Sequence, residues 1–540
     1  MKDVSSPAHR TIAILAASLV AGCATVGPDY TAPQTDRANA DLLDPLPAPA
    51  FDGVAFLASE GAIEEWWRWF GSSELNRLVQ TGFAKSPTLA AARARLTQAA
   101  YLLRAERGLL LPEISANGQI QRQRAGAGGF GGQGQGQGQG TGQGQGQGGF
   151  GGGGSSEFTI YTTQIAVDYN LDPFGREDRL IESAEAQLAA AKAEVQATYL
   201  SLAGNIVSSA LEAAAIRQRA AVTRELIDGQ RNRLELTRIR VEEGYTARAD
   251  LVAAEAEIRA LEARLPGFRR DLALAEARLA TLTGRPLAQA ELPALTLSTL
   301  TMPETVPVTL PSTLVRARPD IRAAEARLAA ASAEIGVATA SLYPDFTLSG
   351  AAGLNGIEGP GFGPTLDFIY SAGVGLLAPL FQGGRLRAQR DAQIAVYQET
   401  LALYQETVLG AFEEVAGGIY ALEADGEALQ RQIQALDAAQ ESLDLTVFRY
   451  REGAASLFDV LQAERTYQEA RLSVVDASAL RFQDTAALLA AVAAGPLDES
   501  FLSAQTGDGA IAATRAALWE GRPPALLPQY EIERTIDGRN

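Results

Sequence analysis

Residues 177–243 read EDRLIESAEAQLAAAKAEVQATYLSLAGNIVSSALEAAAIRQRAAVTRELIDGQRNRLELTRIRVEE, 67 positions without a proline and with few glycines. At about 1.5 Å per residue this is one helix roughly 100 Å long. Residues 386–452 form a second uninterrupted stretch, also of 67 positions. Helices of globular proteins average about 11–12 residues, so neither stretch belongs to an ordinary enzyme core. They are the paired pillars of a duplicated chain.

The duplication shows in punctuating residues held in register. Pro87 and Pro319 stand 232 positions apart near the start of a helical run, and Pro112 and Pro344 end those runs at the same offset. Gly175-Arg176 matches Gly384-Arg385 at an offset of 209, which continues through Arg240/Arg449, Gly244/Gly453, Asp250/Asp459 and Glu255/Glu464. The offset falls because the first copy carries a glycine-rich insert. Each copy reads short helix, strand, loop, strand, very long helix, tight turn and returning helix, a repeat that fixes the architecture before any motif is read.

At the amino end, Arg10 precedes an apolar run from Thr11 to Val20, followed by Ala21-Gly22-Cys23. The run is too short to span a bilayer and reads as a signal peptide ending in a lipobox-like junction. Cys23 is the single cysteine, so no intramolecular disulfide forms, and its expected chemistry is thioether lipidation. An ordinary signal peptide with an incidental cysteine is the competing reading. Ala24 follows without an aspartate, which favours the outer membrane over the inner. The single histidine, His9, precedes the junction, so the mature chain has none for a triad, a zinc ligand or a general base. Neither an enzyme, nor a cofactor, nor a metal, nor a nucleic-acid partner is expected.

From Ala24 to about Glu60 the chain is rich in proline and alanine without a period. Glu64 to Phe70 then holds three of the four tryptophans, readable as an interfacial aromatic stripe or as packing against the helical body. After Pro112, Ile114, Ala116, Gly118 and Ile120 alternate with Ser115, Asn117, Gln119 and Gln121. A longer alternation puts Tyr161, Thr163, Ile165, Val167, Tyr169 and Leu171 on one face. The second copy supplies Phe346, Leu348, Gly350 and Ala352, then Tyr370, Ala372, Val374, Leu376 and Ala378. Period-two runs of this length suit membrane strands of about 9–11 residues. Four strands leave two edges, which lipid forbids, so the sheet must close with further copies of itself; three would give 12 strands. Gly128–Gly154 reads as a flexible external loop dominated by Gly-Gln, and Asn355–Phe368 as its shorter counterpart. The long helices carry closely spaced alanines among Glu, Arg and Gln, which suits a hollow wall better than a solid bundle.

At the far turns, Arg240-Val241-Glu242-Glu243-Gly244-Tyr245 and Arg449-Tyr450-Arg451-Glu452-Gly453-Ala454 reverse the chain, with glycine at the reversal. Ser456 and Asp459 resemble a capping box. In the first copy Thr246 is the nearest candidate cap, four residues before Asp250. The exposed turns are the expected docking surface, while the two aspartates serve either docking or helix starts.

These pieces together resemble the TolC-like outer-membrane efflux channels, in their lipoprotein branch. The resemblance is carried by Gly22-Cys23 with Val26-Gly27-Pro28-Asp29-Tyr30, by Arg318-Pro319-Asp320, by Phe381-Gln382-Gly383-Gly384-Arg385, and by Arg449-Tyr450-Arg451-Glu452-Gly453 leading to Asp459-Val460-Leu461. It spans roughly Cys23 to Gly495. It implies a mixed α/β membrane protein, a homotrimer whose four strands per subunit complete a 12-stranded outer-membrane barrel above a long periplasmic α-helical barrel. It also implies docking to a periplasmic membrane-fusion adaptor and an inner-membrane pump, commonly of the resistance-nodulation-division class. The organisation is then a signal peptide over 1–22, a lipidated linker over 23–60, and a first repeat over 61–290 with strands at about 113–122 and 159–171 and a Gly/Gln-rich loop at 124–157. A second repeat follows over 291–495, with strands at about 345–353 and 369–379, and an extension over 496–540. The expected function is a passive exit duct for small molecules. A protein-secretion duct of the same architecture and a non-channel coiled-coil lipoprotein are the rivals. The net charge of -18 suits a polar conduit and names no cargo.

Overall fold

The computed structural model describes residues 25–33, 55–59, 65–125, 156–303, 305–309, 317–359 and 362–493. The signal peptide, Cys23, the Gly-Gln stretch and the extension over 496–540 lie outside the described residues. The described chain forms two compact units, and each repeat contributes to both.

The first unit takes in Leu102–Ala184, Ala331–Tyr397 and the described residues up to Tyr30. Its centre is an antiparallel sheet of β2 (Glu113–Ala125), β3 (Ser156–Leu171), β5 (Asp345–Gly359) and β6 (Phe362–Leu377), in that spatial order. The register brings the apolar positions into rows: Ile114 opposes Val167, which opposes Gly350, which opposes Ala372. In the next row Ala116, Ile165, Ala352 and Tyr370 stand side by side. Since alternate side chains share a face, the apolar alternation of all four strands falls on one side. Ile114, Ile120, Tyr370, Val374 and Leu376 are exposed there.

The strands run longer than the alternation alone indicates. Asn355–Phe368, expected as a loop, is mostly hairpin: Asn355 pairs with Asp367 and Ile357 with Thr365, with a register shift before Gly359. Its glycines are strand glycines. A Cβ on Gly356 would stand 2.8 Å from the Thr365 carbonyl oxygen, so close strand approach, and not loop freedom, requires glycine there.

The second unit comprises Glu185–Ala330, the described residues from Thr31 to Tyr101, and those from Gln398 onward. Helices α3 (Arg176–Glu242) and α7 (Arg385–Arg451) are each 67 residues long and start at the duplicated Gly-Arg pair. Helices α2 (Pro87–Gly108) and α6 (Pro319–Ala340) are likewise matched at 22 residues, each with proline first, where a missing N–H costs nothing. The returning helices differ. Copy two returns as α8 (Leu457–Val492), whereas copy one is broken into α4 (Arg248–Glu262) and α5 (Leu265–Leu282). Pro266 explains the break, because it lacks an amide proton and its ring collides with the preceding turn.

Core packing gathers on the middle of α3. Ala203, Ile206, Val207, Ala210, Leu211 and Ala214 are all buried, while Ser201, Asn205, Ser208 and Glu212 of the same stretch are exposed. The tryptophan cluster supplies much of the cover. Trp66, Trp67 and Phe70 are buried in a 3-10 turn (Trp66–Phe70). The Trp67 ring meets Phe83 of α1 (Ser73–Lys85) edge-on, and Phe83 stacks on Tyr199 at 3.7 Å. Trp67 Nε1 donates to Asn76 Oδ1 at 3.1 Å. The tryptophans therefore pack against the body. A parallel pair, β1 (Ala55–Ser59) with β4 (Thr305–Thr309), completes the unit's strands.

Polar ties hold the helices together. Arg318, ahead of Pro319, donates to both Asp320 oxygens, to Glu414 Oε2 at 2.8 Å and to the Ala491 carbonyl at 3.1 Å. It thereby joins α6 to α7 and α8. From α8, Arg471 reaches Glu225 and Arg465 reaches Glu257, each at 2.8 Å, and the buried Glu464 takes Arg233 and Gln230 of α3.

One buried polar contact lacks a cation of this kind. Asp425 of α7 is 7 % exposed, and the first repeat has the buried apolar Ile216 at the matching position. Burial, then a hydrogen bond with Asp484 of α8 and the charge of that carboxyl, push Asp425 from its ordinary 3.8 up to about 7; Arg481 opposes the shift. Two carboxyls in contact share one proton. Between these values the folded chain binds more protons than the unfolded one, so stability falls as pH rises from about 4 to 7. Asp425→Asn removes this titration, and its thermal midpoint is expected to change less than that of the wild type between pH 5 and pH 8. An undiminished loss in the variant would assign the dependence to other groups.

Candidate functional site

Two surfaces carry the functional possibilities, one in each unit. In the first unit they are the free edges of the sheet. Among the described residues β2 pairs only with β3, and β6 only with β5, so the outer backbone groups of both edge strands have no partner strand there. Together with the apolar face this is the form of a barrel segment and not of a finished sheet.

In the second unit the surface is the pair of turns that end the long helices. Gly244 and Gly453 have the same φ of 76°. Tyr245 N donates to Arg240 O and Ala454 N to Arg449 O, both at 2.8 Å, while Gly244 N and Gly453 N donate to Val241 O and Tyr450 O, both at 3.1 Å. These paired bonds are the Schellman closure of a helix, in which glycine takes the left-handed position. No atom lies within 4 Å of where a Cβ would stand on either glycine. The requirement for glycine inside the subunit is therefore conformational only.

The turns are tied to each other. The Arg240 guanidinium carbon lies 5.0 Å from the centroid of the Tyr450 ring, a cation–π contact between the first-repeat turn and the second. Arg449 Nη2 donates to the Ala454 carbonyl at 3.2 Å and braces its own turn. Tyr245 is 81 % exposed.

The helix starts beyond the turns are not alike. Ser456 caps α8: its Oγ accepts from Asp459 N at 3.2 Å, and Asp459 Oδ2 accepts from Ser456 N at 2.8 Å. That backbone hydrogen bond, then one from the Ser456 hydroxyl, hold the Asp459 carboxyl below its usual range. In the first copy the cap position falls on Ala247, which makes no side-chain bond. Thr246 is thus one residue outside the cap, because α4 starts at Arg248, and Asp250 takes its backbone bond to Ala247 O. Sequence reasoning also passed over Phe448 and Phe458, exposed beside the second turn. Their position next to Arg449 and inside the capping box was the available signal.

The sequence profile of the family described as Outer membrane efflux protein matches residues 78–285 and 310–494. Pyoverdine export outer membrane protein OpmQ of Pseudomonas aeruginosa is 30% identical over 461 residues, which cover 83% of this chain and 93% of that protein. Nodulation protein T of Rhizobium leguminosarum bv. viciae is 30% identical over 504 residues, 90% of this chain and 93% of its own. Among solved structures, the outer-membrane channel OprN superposes with a TM-score of 0.75 at 27% identity, covering 87% of this chain and 99% of OprN. The outer membrane protein VceC of Vibrio cholerae superposes with a TM-score of 0.68 at 25% identity, over 81% of this chain and 100% of VceC. The four-stranded membrane sheet and the long paired helices are thus those of an outer-membrane efflux channel, and the chain belongs to the outer membrane efflux protein family.

Proposed function

We propose that the chain is the passive exit duct of a tripartite efflux system, a homotrimer lipidated at Cys23. It takes small molecules from an inner-membrane pump, of the resistance-nodulation-division class, through a periplasmic adaptor. The observation that carries this reading is the four-strand sheet with an apolar face and two unpaired edges. In lipid each unpaired backbone group costs several kcal/mol. Three copies joined β6 to β2 would remove every edge and give 12 strands, within the range of membrane barrels.

Small molecules are favoured as cargo by the names of the relatives. Besides the pyoverdine exporter, the similar proteins include a toluene efflux pump outer membrane protein of Pseudomonas putida, 26% identical over 474 residues. The chain itself performs no chemistry in this reading; the pump supplies the energy. Lipidation of Cys23 rests on the Ala21-Gly22-Cys23 junction, and two or more acyl chains would hold the protein firmly, at about 0.8 kcal/mol per buried CH₂.

Adaptor docking falls to the turns around Gly244 and Gly453, with Arg240, Tyr245, Arg449 and Ala454 presenting side chains. Thr246, Asp250, Ser456 and Asp459 support the helix starts behind them.

Planar-bilayer conductance of the purified protein, with subunit number fixed by native mass, tests the duct. Discrete conductance from a trimer is the expected result; a non-conducting monomer, even after substitutions that loosen the turns, would sink it. Docking has its own test in Gly453→Val. A β-branched residue at φ 76° is strained by roughly 1–2 kcal/mol, too little to unfold the subunit. The variant should insert normally and lose adaptor cross-linking and substrate resistance. Wild-type cross-linking and resistance would remove the turn from the docking surface.

A further inference from the structure

The motif Val26-Gly27-Pro28-Asp29-Tyr30 is not used by the duct or by the docking turns, yet within the first unit it is tightly held. Val26 N donates to the Phe174 carbonyl at 3.1 Å. Arg179, in the first turns of α3, answers from the other side: its Nε donates to Val26 O at 3.3 Å and its Nη2 to Asp29 Oδ1 at 2.8 Å. The Arg179 side chain is 5 % exposed, and its Nη1 is held by Glu182 at 2.6 Å, so two of its nitrogens serve the segment while the third is braced by its own helix.

Shape fit is as close as the polar fit. A Cβ on Gly27 would stand 2.5 Å from the Cα of Gly336 in α6, and Gly27 has a φ of +103°. A Cβ on Gly336 would stand 2.8 Å from the Arg179 stem. Gly336 therefore lies between the segment and the arginine, with no room for a side chain on either glycine at this contact. Thr25 is equally close: a Cβ on Gly175, at φ +72°, would meet its Cγ2 at 2.0 Å.

This seat lies where two of the sheet's four strand–helix junctions meet. Phe174 separates β3 from α3, Tyr343 precedes β5, and their rings stack at 4.7 Å. The segment thus bridges the first repeat, at α3, and the second, at α6. Three peptide units separate Val26 from Cys23, at most about 10 Å of chain.

We infer that Val26–Asp29 is a clip that fixes the point from which the acyl anchor leaves the protein, holding it against the helix-side ends of β3 and β5, the two central strands of the sheet. Without the clip, the anchor is not tied to the barrel segment. With it, anchor and sheet enter the membrane as one body, with the acyl chains beside the apolar face. The positioning half of this inference rests on the lipidation proposed above; the clip itself does not.

Proteinase K digestion of the purified full-length protein, followed by mass spectrometry of the amino-terminal fragment, tests it. In the wild type residues 25–30 should resist cleavage. Gly27→Val, which cannot occupy the seat and changes nothing in the sheet or helices, should be cut there about tenfold faster, as opening of a local unit governs cleavage. Arg179→Gln should show the same exposure by loss of the polar contacts. In cells fed a diazirine-bearing fatty acid, illumination should join the acylated fragment to peptides from the helix-side ends of β3 and β5. That yield should drop about tenfold in Gly27→Val if the chain opening that exposes the segment also frees the anchor. Equal cleavage in all three proteins would overturn the clip, and equal cross-linking in wild type and Gly27→Val would overturn its positioning role. An unmodified Cys23 on a protected segment would also overturn that role, by removing the anchor; an acylated Cys23 on an unprotected segment would remove the clip and leave the lipidation reading intact.

Discussion

The backbone hydrogen bond in lipid is the constraint on which the rest depends. A strand edge in water is satisfied by solvent, but an edge in hydrocarbon is not. The sheet here has four strands, an apolar face and unpaired outer edges on β2 and β6. Such a sheet is incomplete as a membrane structure and also as a soluble one, since its exposed apolar rows would associate in water. Self-association is therefore not an addition to the fold but a condition of it. The register is the means: the apolar alternation stays in step across all four strands, and a shift of one residue would turn an entire strand inside out.

Duplication lets a chain of modest complexity meet that condition. Each repeat supplies one antiparallel hairpin, one helix opened by proline and one helix of 67 residues. The sheet is then made whole by pairing β3 with β5, a pairing between repeats. The helices follow the same logic, since the buried Glu464 of α8 takes Arg233 and Gln230 of α3. Buried polar groups of this kind contribute little net stability, but they fix which helix stands beside which.

Much of this was legible in the sequence, because periodicity and punctuation report local geometry directly. The strand faces, the long helices, both glycine reversals and the Ser456–Asp459 cap follow from spacing alone. What was not legible depends on what lies opposite a residue. Glycines 356 and 359 read as loop residues, although a neighbouring strand approaches them closely. Thr246 read as a cap, but the helix starts one residue later and leaves the position to Ala247. The closely spaced alanines of α3 suited a hollow wall, without showing what packs on them. In its middle the Trp66–Phe70 turn, α1 and α8 all pack on them. The seat of Val26–Tyr30 was invisible for the same reason: its partners, Phe174, Arg179 and Gly336, are distant in sequence.

The turns show how far duplication constrains function. Their backbones are the same, with one φ, one pair of hydrogen bonds and one open space over each glycine. Their side chains are not. Where the first turn has Tyr245 the second has Ala454, where the first has Ile239 the second has Phe448, and Phe458 stands where the first copy has Ala249. A partner that reads only backbone shape would treat the two turns of a subunit as equivalent. One that reads apolar side chains would not, because the exposed aromatic groups lie at different points around each reversal. The Arg240–Tyr450 contact couples the two, so the turns present one composite surface. Within that one surface the two turns are related in backbone and unequal in side chains.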